Sequence, residues 1–510
     1  MTFRRKFQTF LLLAAPLLLL MINIWPVAAQ ANVRWSPQQR IPGYFDRTLP
    51  PYLVADQNQN VYAFTSQKYG DGPDSQVIIV YSRWSVAQGW TKPVDILISP
   101  VYEARIMGVF LDQSGIIHLL FFGGNDNGAT MYYSKAAAIN ADKAFAWSAP
   151  LPIGDNAITP SIAALAGDNK GNLVVVYNGN LGEGNSLYAV YSHDKGESWT
   201  MPTLVWSTFS TEFWPSDLQL SLGQSGHLHA VWNYTDKLGK NVTGYYAYLP
   251  NLETAEWSDP VELDKSVGLG IAVPSVVEYH NEVYVFYNNG VPEGGAPALW
   301  VRRSPDGGKS WSSPQRPFPK HVGRNGAASI VVDSNDLLHI FFGQRIHGEK
   351  IDTHGMWRST LRNGTWTEPQ PIVSGPMVQG TNDAAFDPGD AHAIASQGNV
   401  LLVTWRTDPG NGANGAWYAY TQLDTPAWPL VPLPMPKELF TPTPTAVPTS
   451  EAAPTATPSP VPAAVTFDSR GGGPRVINNT AGPLFAGLIP VLMLLVSFFV
   501  VTKTRRSHIY

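Results

Sequence analysis

The chain contains no cysteine in 510 residues. That absence excludes disulfide staples, thiolate nucleophiles and Cys-ligated metal centres, so a large buried core has to carry the stability. Charge is also scarce. Only 14% of residues are Asp, Glu, Lys or Arg, and the formal net charge is -5, which leaves no basic footprint for nucleic acid. What the chain has instead is aromatic residues, 12% of the total, together with 45 Gly and 43 Pro. This mix suits a β-rich fold with many turns and poorly suits a helical one.

The two ends read differently from the middle. Residues 1–31 carry a basic start (Arg4, Arg5, Lys6), an apolar run and the small-x-small site Ala29-Gln30-Ala31, the pattern of a secretory signal peptide. Residues 484–502 begin with an uninterrupted apolar stretch, Leu484 to Val501, long enough to cross a bilayer as a transmembrane helix. Lys503, Arg505 and Arg506 follow, which places the tail 503–510 in the cytoplasm and the body outside the cell. Between body and span, residues 435–483 hold a Pro/Thr/Ala tract that cannot bury enough apolar surface to fold and reads as an extended stalk. The expected location is therefore the cell membrane, single-pass, with the body at the cell surface.

The body, 32–434, is repetitive. A Trp followed by Ser or Thr, usually a Pro, and then an aliphatic residue recurs at Trp35, Trp90, Trp147, Trp199, Trp257, Trp311 and Trp366, with a degenerate eighth at Trp428. The spacing is about 56 residues. Each interval holds, in constant order, a β-rich run, a polar turn, a strongly apolar strand, a Gly-rich loop and an aromatic strand before its Trp. Four short strands per unit are the recipe for a β-propeller blade, whereas a β-sandwich would not need so regular a period. Seven blades are expected, with the Trp35 segment completing the last one; six remain compatible if a terminal unit lies outside the ring.

Two units carry a sharper signature between their third and fourth strands: Ser192-x-Asp194-x-Gly196-x-x-Trp199 and Ser304-x-Asp306-x-Gly308-x-x-Trp311. Asp can accept backbone N–H groups inside a tight turn, Gly supplies conformations costly for other residues, and Trp can bury a large ring between sheets. Elsewhere the Trp persists while Asp or Gly is lost, as expected of scaffold rather than catalysis. The signature resembles the Asp-box, or BNR, repeat of the sialidase superfamily, and the likeness extends over about 32–434.

That resemblance implies a triad of arginines gripping a substrate carboxylate, a Tyr/Glu nucleophile pair and an acid/base Asp. It implies an aromatic-Arg-Ile-Pro motif at the first inner strand, and the chain offers Gln39-Arg40-Ile41-Pro42. Arg40-Ile41 also completes the repeat pattern of the Trp35 segment, and the first inner strand is expected to begin nearer Tyr52. The chemistry of such propellers lies on the face opposite the Asp boxes. Mapped onto that face, the sequence collects Tyr69 and Asp71; Tyr102, Glu103 and Arg105; Glu212 and Asp217; Arg324; Arg345 and His347; Asp383, Asp387, Asp390 and His392; and Arg406 and Asp408. Arginines, carboxylates and aromatics are the equipment for a sugar or an anionic group, and Arg40, Arg105, Arg324, Arg345, Arg406, Glu212, Asp390 and Tyr69 are the ligand-binding candidates. No metal-ligand spacing and no cofactor motif is recognisable.

The reading favoured by the sequence is an extracellular propeller that binds a glycan or glycoprotein through its loop face. An exo-acting glycoside hydrolase of sialidase type is the alternative, and a protein-interaction platform at the cell envelope the second alternative. Catalysis is left open, and no nucleic acid or cofactor is expected.

Overall fold

The computed structural model describes residues 33–434 apart from 46–47, 71–74, 101–102, 126–127, 155–159, 269–270, 293–295, 347–352, 377–387 and 408–414. All of them belong to the first of the chain's two units, Met1–Pro442. The expected signal segment, stalk, membrane span and tail lie outside the described residues, among which no helix is long and apolar enough to cross a membrane.

Seven antiparallel sheets follow one another along the chain and form a seven-bladed propeller. Inner strands are Tyr52–Ala55, Glu103–Leu111, Ala163–Gly167, Phe213–Leu222, Ala272–Tyr279, His321–Val332 and Pro388–Ser396, for blades 1 to 7. Second strands such as Leu173–Gly179, LVVVYNG, are buried along almost their whole length because each is covered on both faces by neighbouring blades. This is why they read as continuous apolar runs and not as alternating ones. The outermost position in blade 5 is reduced to a single bridge, Val301 to Gln315. In blade 7 it is filled from the other end of the chain: Gln39–Arg40 pairs with Tyr418 and Trp417 of Gly415–Gln422. The first strand in the chain thereby closes the ring, as the repeat order anticipated.

Each recurring Trp reaches across a seam to the preceding blade. Trp147 packs edge-on against Phe64 (5.8 Å), Trp199 against Tyr133 (5.2 Å), Trp311 against Tyr246 (4.8 Å) and Trp366 against Phe286 (5.4 Å). Trp257 donates its indole N–H to the Tyr191 hydroxyl at 2.8 Å. Trp90 meets Tyr418 of blade 7 at 5.5 Å, and Trp35, arriving with the closing strand, meets Phe341 of blade 6 at 6.1 Å. Seven Trp residues thus staple seven seams, each such contact adding about 0.5–1.5 kcal/mol beyond its buried area. Trp428 is not an eighth staple: it is 41% exposed and lies over Gly398.

The turns between first and second strands share a device that the Trp period masks. Asp56, Asp112, Asp168 and Asp333 each open such a turn and accept backbone N–H groups within it, from Asn58 and Asn60, Ile116, Lys170 and Asn172, and Asn335 and Leu337 respectively. In blade 4 the corresponding residue is Gly223, whose N–H bonds the His227 carbonyl (2.8 Å) just as Asp112 N–H bonds that of Ile116 (3.0 Å). The missing carboxylate comes from the next blade. Glu278 accepts from Ser225 N–H (2.9 Å), the Ser225 hydroxyl and His229 Nε2 (3.0 Å), and its Oε2 stands 2.2 Å from where a Cβ on Gly223 would lie.

These turns, and those holding Asp194 and Asp306, define one end of the propeller. The C-terminal segment crosses the same end: Thr425 bonds Ser334 and Asn399, Trp428 N–H bonds the Gln397 carbonyl, and Leu433 and Pro434 reach Gly115 of blade 2.

Candidate functional site

The opposite end carries the loops after the second strands and the crossings between blades. Just inside it, the inner strands bulge at matching heights. Register shifts fall between Ser216 and Gln219, Ala272 and Ser275, Asn325 and Ser329, and Gly389 and His392. Within these bulges Asp217 (φ 49), Val273 (φ 44) and Asp390 (φ 51) take left-handed backbone. That conformation is rare for side chains other than Gly and rarest for a β-branched one; such strain persists only where surrounding contacts fix it. Here they do: Asp217 Oδ2 accepts the Val273 N–H at 3.0 Å. The neighbouring bulge is held by proximity, since a Cβ on Gly326 would come within 2.0 Å of Asp390 Oδ1. Bulges re-aim side chains at rims, and this arc of four, in blades 4 to 7, borders an axial cavity lined by the residues that follow them.

The cavity has a volume of about 310 Å³. Its polar lining is Tyr52, Gln219, Ser221, Ser275, Ser329 and His392, interleaved with Leu and Val side chains. Two of its hydroxyls are tied to the wall, Ser275 Oγ donating to the Ala328 carbonyl (2.7 Å) and Ser329 Oγ accepting the Ala393 N–H (2.9 Å). His392 Nδ1 lies 2.7 Å from the Pro51 carbonyl oxygen, and its ring is 5.6 Å from that of Tyr52. Burial holds the imidazole below its ordinary pKa, against the opposing pull of the Pro51 carbonyl and Asp390. Burial likewise pushes the Tyr52 phenol above its ordinary value. Both are therefore neutral near pH 7.

The predicted residues distribute unevenly about this rim. Arg406 pairs with Asp390 on the second and first strands of blade 7, directly beside the cavity residue His392. Arg324 and Arg345 stand on the first and second strands of blade 6, Arg345 opposite Val322. Three candidate arginines thus occupy the loop-facing ends of two adjacent blades. Arg105 lies on the inner strand of blade 2, two residues after Glu103. Glu212 pairs with Lys237 at the exposed edge of blade 4. Tyr69 turns outward: its hydroxyl donates to Asp95 Oδ1 at 3.0 Å, and burial, reinforced by that bond, pushes it up to about 12. Arg40 does not open the first inner strand, which starts at Tyr52; it sits in the closing strand opposite Trp417, its guanidinium against Gly415. Asp71, Tyr102, His347, Asp383, Asp387 and Asp408 lie outside the described residues.

The two Asp-containing turns lie at the far end, and their carboxylates are occupied. Asp194 accepts from Ser198 N–H (2.9 Å), the Ser198 hydroxyl and the Ser192 hydroxyl, and Asp306 from the matching Ser310 and Ser304 groups. Gly196 and Gly308 lie in the left-handed region (φ 83 and 100), with the Tyr133 and Tyr246 hydroxyls 2.1 and 2.2 Å from a hypothetical Cβ. Behind them run hydrogen-bonded chains that look like catalytic relays. His118 donates from Nε2 to Asp112 and accepts at Nδ1 from Tyr133, and His229 does the same between Glu278 and Tyr246. Both histidines are at most 1% exposed, so no substrate reaches them and the chains are structural.

Among the described residues, two hydrogen-bonded Tyr/Glu pairs occur, Tyr188 with Glu183 and Tyr284 with Glu282, and neither lines the cavity. No cluster of three or more His, Asp or Glu suited to a metal ion is found among the described residues. Tyr52 and Gln219 escaped the sequence reading because both lie in strands, where an aromatic or amide reads as packing; the inner-strand position was their one available signal.

No protein-family model matches the chain, and no curated protein sequence matches it. Solved structures do resemble it. An ulvan lyase, a polysaccharide lyase bound to a GlcA(1-4)Rha3S saccharide, superimposes with TM-score 0.50 at 13% identity, over 75% of this chain and 97% of that one. An alpha-L-arabinanase from Penicillium chrysogenum complexed with arabinobiose gives 0.44 at 15% identity (76% and 98% covered), and a leech intramolecular trans-sialidase 0.37 at 11% (76% and 69%). At such identities the ulvan lyase likeness bears on fold alone: the chain is a β-propeller of the architecture that lyase uses.

Proposed function

We propose that the protein is a cell-surface propeller that binds an anionic glycan on its loop face. What supports this reading is that Arg324 and Arg345 fall at strand positions toward the loop-facing end of blade 6, and Arg406, paired with Asp390, toward that of blade 7, where a polar axial cavity lies. Guanidinium groups grip carboxylates and sulfates through paired N–H donors, and a cavity with interleaved hydroxyl and aliphatic lining suits a sugar. The ulvan lyase that resembles the chain is bound to a saccharide containing GlcA and Rha3S, which agrees with an acidic or sulfated ligand. Export and anchoring rest on residues 1–31 and 484–502 and are tested by recovery of the full-length protein in the membrane fraction after alkaline washing.

Binding ranks above sialidase-type hydrolysis because, among the described residues, neither hydrogen-bonded Tyr/Glu pair lies at the cavity. The deciding experiment puts the full-length protein on an array of uronic, sulfated, sialylated and neutral glycans while aryl glycosides report turnover. Retention confined to anionic glycans, weakened about tenfold by Arg406→Ala, is expected, the size of one lost charge-assisted contact. Retention of neutral glycans alone would overturn the reading, and turnover lost in Arg324→Ala or Arg345→Ala would replace it with the hydrolase.

A further inference from the structure

Resting on that reading, we propose that the axial cavity is a separate subsite for a neutral part of the glycan, the ring of a terminal pyranose, read through its hydroxyls by His392 Nε2 as acceptor and the Tyr52 hydroxyl as donor. The tautomer follows from geometry. A carbonyl oxygen can only accept, so the contact between Nδ1 and the Pro51 oxygen at 2.7 Å places the proton on Nδ1 and leaves a lone pair on Nε2. In the hairpin histidines both ring nitrogens are engaged by side chains. Among the described residues no partner is found for His392 Nε2, and the residue lines the cavity.

Tyr52 is in the same position. Among the described residues no partner is found for its hydroxyl, it too lines the cavity, and its ring stands 5.6 Å from the imidazole. An acceptor and a donor on two neighbouring lining residues match the hydroxyls of a sugar, each of which can give one hydrogen bond and receive another. Among the described residues the lining contains no carboxylate, Lys or Arg, so no charged side chain there would pair with an anion, while the charged groups Asp390 and Arg406 stand on the rim. Its volume, about 310 Å³, is at the low end for ligand sites and suits one ring and not a chain segment. The rim would then hold the acidic group and the cavity the neutral end, which makes recognition specific for chain termini.

The test uses the full-length protein and three probes, sialyllactose, a hyaluronan tetrasaccharide and a heparin tetrasaccharide, in calorimetric titrations at pH 7.5. Tyr52→Phe keeps the ring and removes only the hydroxyl; His392→Gln keeps an acceptor but shifts it. Each is expected to weaken the binding probe about tenfold, the value of one buried hydrogen bond left unmade, without lowering Tm in Tyr52→Phe. O-methylation of the probe's terminal hydroxyls should weaken wild type by a similar factor and the variants hardly further. Unchanged affinity in both variants, with Arg406→Ala still weakened, overturns the subsite and leaves the rim reading standing. Absence of binding by all three probes to wild type sinks both.

Discussion

Glu278 illustrates how a single side chain is assigned its role by a neighbour's deficiency. In four blades an Asp organises the turn between first and second strands; in blade 4 Gly223 cannot, and Glu278 supplies the carboxylate across the seam. Glu278→Ala should cost about 2–3 kcal/mol, because His229 and Ser225 lose a buried partner. Gly223→Asp alone should also destabilise, its Cβ arriving 2.2 Å from Glu278 Oε2. Gly223→Asp combined with Glu278→Gly, which also removes the Cβ that would stand 2.9 Å away, should recover part of the loss, since the carboxylate introduced on the blade 4 turn would then stand where that of Asp112 does in blade 2. Denaturant unfolding of the three variants checks this, and additive losses in the double variant would refute the exchange.

At the scale of elements, the Trp staples and the hairpin relays make separate demands. Trp199→Ala opens a seam against Tyr133 and should cost about 3–5 kcal/mol, whereas Trp428→Ala, with its ring 41% exposed, should cost less than about 1 kcal/mol. Chemical denaturation separates the two. The relays predict acid sensitivity. Burial holds His118, His229 and His339 below their ordinary pKa, so below about pH 6.5 the unfolded chain takes up protons that the folded one refuses, and stability falls. A second loss follows between about pH 4 and 2, where Asp306 and Asp194 protonate. Asp306 is held at about 2 by the Ser310 hydroxyl and backbone, and Asp194, despite opposing burial, at about 2 by the matching Ser198 groups. Tm should be flat from about pH 8 to 7 and decline from about 6.5 downward; a Tm unchanged at about pH 5 would contradict it.

These elements also mark what the sequence could tell. Blade number and closure were legible because a Trp that must span every seam recurs with chemical fidelity. Trp428 carries the same local signature yet stands outside the pattern, since what makes a staple is the aromatic across the seam and not the Trp. The turn carboxylates Asp56, Asp112 and Asp168 recur at about the same period and were readable, but the louder Trp pattern hid them. The rim was not legible. Bulges at Asp217, Val273 and Asp390 arise from register between paired strands, which no single segment encodes, and the one at Asp390 immediately precedes the cavity residue His392.

For the whole molecule, closure rests on one short strand. Removing residues 33–40 deletes the Trp35 contact with Phe341 and the pairing of Gln39 and Arg40 with blade 7. The loss should be about 3–5 kcal/mol, comparable to a large buried aromatic. A thermal scan of the shortened protein should show a lower Tm with the β signal of the folded state intact at low temperature, and an unchanged Tm would mean that the ring is held by the remaining seams alone.

Residues 423–434 form a strap across the hairpin end of the ring. The chain leaves the propeller at Pro434 beside Gly115, having crossed the hairpin ends of blades 6 and 7. By bonding the turns of blades 6 and 7 and touching that of blade 2, this strap couples three blades that the sheets themselves keep separate. The strap lies at the hairpin end, so it and the cavity occupy opposite ends of the ring and a change in one leaves the other's residues untouched.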